Sequence, residues 1–157
     1  MLPENHVTLA CFELKGGVYA LDVSCVREVV RWQPVTPLPR APALIQGVVD
    51  LRGSVIPVVD LAQVLRGEPI VPGPRTRIAV VEIDGLALGL VVDAALDVRA
   101  VDGATLGDPP ALAVQAGYEA ARAVVRRSDA PPILVLSLEH LLECVYRSRF
   151  HDGEAAA

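Results

Sequence analysis

Apolar and polar positions along this 157-residue chain change in short runs, most of them bounded by Gly, Pro or a charge. From Val7 to Leu14, the side chains Val7, Leu9 and Cys11 alternate with Thr8, Ala10 and Phe12, a period of two that predicts a strand ending at Lys15-Gly16-Gly17. Tyr19, Leu21 and Val23 share one face of a second strand, so the Gly-Gly connection predicts a hairpin. Val26, Val29 and Val30 continue in β-branched residues beyond a bend near Ser24. The segment RWQPVTPLPRAP then holds Pro34, Pro37, Pro39 and Pro42, which disfavour helix and strand interior alike and predict an ordered surface loop.

Next comes IQGVVDLRGSVIPVVD, which predicts strands over Leu44 to Leu51 and Ser54 to Val59 around Arg52-Gly53, with Gly53 suited to a positive φ at the turn. Val55, Ile56, Val58 and Val59 leave no clear polar face, as expected of a strand covered on both sides. Asp60-Leu61-Ala62-Gln63 has the form of a capping box, so a short helix should begin there and Asp60 reads as its cap rather than as a catalytic carboxylate. A second Pro-rich loop, RGEPIVPGPRTR, leads to predicted strands at Ile78 to Ile83 and Leu86 to Val92 around Asp84-Gly85, then to Ala94 to Val98. Residues 100 to 120 are weakly patterned. Ile133 to Leu136 reads as a strand, and Leu138, Leu141, Leu142 and Val145 recur with helical spacing behind Ser137 as N-cap. The patterned chain from 7 to 146 reads as one domain, with 1–6 and 147–157 as flexible termini.

The two halves resemble each other. ALDVSCVREV (20–29) lies in register with GLVVDAALDV (89–98), and VIPVVDLAQVL has the same strand, cap and short-helix form as PILVLSLEHLL. This predicts an all-β architecture of two similar subunits, each of about five strands and closed by a short helix, with an apolar groove between them suited to a helical partner.

Composition narrows the function. Lys and Arg number 14 against 19 Asp and Glu, a net charge of −5, and the six aromatic residues, Phe12, Tyr19, Trp32, Tyr118, Tyr146 and Phe150, are scattered. A nucleic-acid groove needs a basic, aromatic-lined surface, so that class is disfavoured. No apolar run approaches the roughly 20 residues of a membrane span, and the N-terminal residues carry no secretory pattern, which predicts a cytoplasmic protein. Cys11, Cys25 and Cys144 are far apart and odd in number, predicting reduced packing residues rather than disulfides or a zinc site. Neither a nucleophile beside a base nor a phosphate-cradling loop is visible, and GVVDLRG lacks the Gly-Lys-Ser/Thr ending of a P-loop. Asp93 and Asp97 read as turn and surface acids. The expectation is a protein without catalytic activity, metal or cofactor.

YALDV followed by VREV, then PALIQGVVDLRG, then IPVVDL, and in the second half GLVVD and Asp97-Val98, together resemble the chemotaxis coupling protein family, the CheW-like domains, over about residues 7 to 146. The resemblance implies two intertwined five-stranded SH3-like β-barrels with short helices, including a C-terminal one. It further implies a non-catalytic adaptor that links the cytoplasmic tip of a chemoreceptor to the regulatory domain of a CheA-type histidine kinase within receptor arrays, with other CheW-like proteins as further partners. By motif match, the receptor contacts fall on Val26, Glu28 and Arg52. The kinase contacts fall on Leu38, Pro42 and Leu44. Glu28 either pairs with Arg52 in the free protein or meets the receptor itself; Trp32 either marks a partner surface or packs over its loop. Ser137 stands where the family often has Asp, and Val124-Val125-Arg126-Arg127 lacks an expected Gly. These departures leave a second reading open, a divergent paralogue of a gliding or pilus motility system that has lost one partner.

Overall fold

The computed structural model describes residues 6–109 and 120–147. The termini expected to be flexible and the middle of the weakly patterned segment lie largely outside these residues. Among the described residues, eleven strands and two α-helices follow in chain order: β1 (His6–Leu14), β2 (Gly17–Asp22), β3 (Val26–Arg31), β4 (Ile45–Leu51), β5 (Ser54–Asp60), α1 (Leu61–Arg66), β6 (Arg77–Ile83), β7 (Leu86–Val92), β8 (Ala94–Asp102), β9 (Leu106–Gly107), β10 (Ala121–Val125), β11 (Ile133–Leu136) and α2 (Leu138–Arg147).

The strands form two sheets, one ordered β3-β6-β7-β5-β4 and the other β8-β1-β2-β11-β10-β9. Apart from the two-residue β9, the sheets have the same plan: two antiparallel pairings, one parallel pairing, and a further antiparallel one. The parallel step joins β5 to β7 in the first sheet and β11 to β2 in the second. The sequence repeat falls on this plan, because β2-β3 corresponds to β7-β8 and β5-α1 to β11-α2. At each repeat the chain leaves one sheet and enters the other, β2 leading into β3 and β7 into β8. The two barrels are intertwined in this literal sense.

Burial explains why so few strands have a polar face. The main core unites both sheets: Phe12, Leu14, Tyr19 and Leu21 of the second pack with Val58, Val80 and Leu90 of the first and with Leu138, Leu141 and Val145 of α2. Leu9, Cys11 and Ala20, whose side chains leave the opposite face, fill a smaller core with Ala123, Val125, Ile133 and Val135. β1 and β2 are thus apolar on both faces. β5 departs from the expectation at Val55, which is 65% exposed. β8 runs four residues past Val98, and β10 forms where no pattern marked it.

Candidate functional site

β3 alternates along its length: Arg27, Val29 and Arg31 face out, whereas Val26, Glu28 and Val30 are half-buried. Opposite it stands the β4–β5 turn. Arg52 (φ 52°) and Gly53 (φ 89°) both take left-handed backbone, the pattern of a type I′ hairpin turn, and the Gly53 N–H donates to Asp50 Oδ1 at 2.8 Å. Arg52 has a Cβ in a conformation that favours Gly or Asn, so its side chain is held there at some backbone cost.

The Arg52 guanidinium donates from Nη2 to Glu28 Oε2 at 2.5 Å. β3 is one edge of the first sheet and β4 the other, so the pair ties the two edges together where the sheet curls into a barrel. Glu28 and Arg52 thus meet in the free chain, the first of the two alternatives open from sequence. The Arg52 side chain is nonetheless 71% exposed, against 26% for Glu28, so most of the guanidinium faces solvent. The hydrogen bond from Arg52 holds the Glu28 carboxyl below the usual range, and the same bond raises Arg52. Val26 lies half-buried two positions before Glu28 on β3.

Leu38, Pro42 and Leu44 occupy the loop between β3 and β4. Thr36 clips this loop to the outer edge of β4, exchanging backbone hydrogen bonds with Val48 at 2.9 and 2.8 Å. Gly47 permits the close approach, since a Cβ there would stand 2.1 Å from the Thr36 carbonyl oxygen. Leu38 is exposed at 45%, Pro42 and Leu44 are half-buried, and the Pro42 carbonyl accepts the Ile45 N–H at 2.9 Å.

Asp60 caps α1 through Oδ1, which accepts the Gln63 N–H at 3.0 Å. Its Oδ2 accepts the Ile70 N–H at 2.7 Å, a bond that sequence reasoning did not foresee, which fixes the second Pro-rich loop. Asp93 Oδ2 accepts the Lys15 N–H, and Asp97 pairs with Arg99, as expected of turn and surface acids. Cys11 is buried, and burial together with nearby Asp97 pushes its thiol up to about 11. Among the described residues, no group of His, Cys, Asp and Glu could hold a metal ion, and no helix is long and apolar enough to cross a membrane.

The apolar pattern does not disclose which edge-strand side chains stay exposed. Val29 on β3 and Leu96 and Val98 on β8 are exposed at 40, 42 and 64%. The repeat contained the signal, for it places Val29 in register with Val98, on corresponding edge strands of the two sheets.

Comparison with known proteins gives a consistent outcome. Residues 8–145 match the family described as CheW-like domain. The chain is 32% identical over 140 residues to a probable chemotaxis protein CheW of Rhizobium etli, covering 89% of this chain and 90% of the relative. It is 39% identical to protein FrzA of Myxococcus xanthus, over 85% of this chain and 83% of that protein. The crystal structure of the scaffolding protein TtCheW from Thermoanaerobacter tengcongensis superposes with a TM-score of 0.76 at 31% identity, covering 87% of this chain and 92% of the other.

Proposed function

This chain belongs to the CheW-like domain family, whose members are non-catalytic chemotaxis scaffolds, and on that premise we propose that it couples the cytoplasmic tip of a chemoreceptor to a CheA-type histidine kinase. In this reading Val26, Glu28 and Arg52 meet the receptor, and Leu38, Pro42 and Leu44 meet the kinase regulatory domain. The carrying observation is the Glu28–Arg52 pair, a mostly exposed guanidinium held in place at a turn by a partner on another strand. Such a group can exchange or share its carboxylate with a partner while losing little side-chain freedom on binding. The exposed Val29, two positions from Arg27 and next to Glu28 on β3, adds apolar area that a helical hairpin tip would cover. The domain so employed spans 7–146 and works in the cytoplasm, within receptor arrays.

Titration of a receptor signalling fragment against the wild-type chain and Arg52→Ala tests the receptor half. Equal binding by both would remove Arg52 from the interface. Titration of the isolated kinase regulatory domain tests the other half, with Leu38→Asp as the variant expected to weaken binding.

The 39% identity to FrzA and the Ser at position 137 favour one alternative, a motility-system paralogue with a single partner. Receptor binding without kinase binding would select it.

A further inference from the structure

Arg31 and Arg77 are direct cross-strand partners at the end of the β3–β6 pairing. Residues directly opposed in an antiparallel pair point to the same side of the sheet, so two like charges are held side by side, an arrangement that destabilises the pairing. Arg27, Arg52, Arg66, Arg75 and Arg99 each have a carboxylate of this chain within 3.4 Å. Arg31 and Arg77 meet none among the described residues, nor do Arg40, Arg122, Arg126 and Arg127, but only Arg31 and Arg77 face each other as cross-strand partners.

The surroundings of the two arginines are built rather than incidental. They line a cleft of about 440 Å³ with Trp32, Gly73, Pro74 and Thr76. Its wall is a fixed turn, in which Thr76 Oγ1 accepts the Gly73 N–H at 2.8 Å and the Thr76 carbonyl accepts the Trp32 N–H at 3.3 Å. Arg77 Nη1 donates to the carbonyls of Pro74 and Thr76, at 2.9 Å each. That fixes the guanidinium and leaves Nε and Nη2, the fork that takes a carboxylate in two parallel bonds. Trp32 also borders a second cleft, of about 450 Å³, lined with Pro34, Val35, Gln46, Ile70, Pro72 and Val91. Asp60 also borders it, but both its oxygens are occupied by backbone N–H groups.

We propose that these adjoining clefts bind an acidic segment of a protein partner, its Asp or Glu carboxylate on Arg31 and Arg77 and a neighbouring apolar side chain beyond Trp32. A long polyanion fits less well. Screening confines the arginines' attraction to about 8 Å at physiological salt, and beyond that a nucleic acid would lie over a chain of net charge −5. The proposal does not depend on the receptor and kinase assignments.

Trp32 is the single tryptophan, so its emission reports on the cleft directly. The full chain is titrated with acetyl-Leu-Glu-Leu-Glu-Leu-amide, with the Gln counterpart of that peptide, and with inorganic phosphate. A saturable change with the Glu peptide is expected, at least tenfold weaker with the Gln peptide and with Arg31→Glu, and unaltered by Arg27→Glu on the same strand. Arg77→Lys, which keeps the charge without the fork, should also weaken binding. Because Arg31→Glu replaces repulsion by attraction toward Arg77, its Tm should rise by about 1–3 °C while binding is lost, an outcome a purely structural role would not give. Should Arg31→Glu not fold, Arg31→Gln serves, again with at least tenfold weaker binding. No emission change up to millimolar Glu peptide, equal binding of the Gln peptide, or undiminished binding by folded Arg31→Glu or Arg31→Gln would overturn the proposal. So would an equal response to phosphate, which would mark a site for small anions only.

Discussion

Asp60 and Ser137 stand at corresponding junctions of the two halves, each ending a strand and preceding a short helix. The carboxylate of Asp60, 2% exposed as a residue, caps α1 and also holds Ile70 ten positions along the chain. The Ser137 hydroxyl reaches only its own helix, accepting the His140 N–H at a long 3.4 Å and lying 3.0 Å from the His140 ring. A parallel difference separates the edge strands. The repeat places Glu28 in register with Asp97, yet Glu28 takes its arginine from the far edge of the sheet and Asp97 from two residues along its own strand. At these matched positions the first-half carboxylates reach distant segments and their second-half counterparts stay local, whereas Asp93 of the second half also reaches across the molecule to the Lys15 N–H. The exposed Arg52 guanidinium on its turn is thus braced by a carboxylate from the opposite edge of its sheet, whereas Arg99, the partner of Asp97 in the second half, is held within its own strand.

The largest expected effect is at Asp60. Asp60→Ala removes a cap and leaves the buried Ile70 N–H without an acceptor, a loss of about 2–4 kcal/mol in chemical denaturation. Asp60→Ser copies the second half, so it should restore only the capping share, about 1 kcal/mol. Full recovery by Ser would mean that the bond to Ile70 contributes nothing and that the halves are equivalent after all.

Arg52→Ala should weaken binding of a receptor fragment roughly 10- to 30-fold, as expected for a central anchor, with Tm almost unchanged because exposed ion pairs add little stability. Asp97→Ala, at the corresponding place, should leave the same binding within about twofold, since its arginine partner is local. Ser137→Ala should cost about 0.5–1 kcal/mol, as loss of a cap does.

The smallest effect concerns pH. Glu28 has its folded-state pKa depressed by Arg52, so the stabilisation from the pair is fully present above the ordinary carboxylate value of 4.5 and is lost as pH falls through the lowered one. The Arg52 Nε resonance, followed by NMR between pH 6 and 3, should stay constant down to about pH 4.5 and shift only below it.

Most strands were legible because both cores impose apolar runs of fixed length, and turns because Lys15-Gly16, Arg52-Gly53 and Asp84-Gly85 all place Gly second in a left-handed pair. The caps at Asp60 and Ser137 were legible for the same local reason. β10 was not, because AARAVV is buried on most of its length and carries no alternation. Nor was the bond from Asp60 to Ile70, or the facing of Arg31 and Arg77, since pairing across 10 or 46 positions depends on topology and leaves no local trace. Glu28 and Arg52 were named together through family resemblance. Residue chemistry alone gave Arg52 no structural duty, because its partner lies on another strand.

The exchange of strands between the halves also sets an order on synthesis. The first sheet draws on one continuous stretch, from β3 to β7, and its pairings can form as soon as that stretch has left the ribosome. The second needs β1 and β2 from the beginning of the chain and β11 from near its end, with β2 pairing directly to β11. The first hairpin to emerge therefore waits longest for its neighbour, with one sheet edge and Phe12, Leu14 and Leu21 uncovered until the completed first sheet offers them a surface. A nascent chain stalled after β7 should hold one finished sheet and an aggregation-prone hairpin beside it.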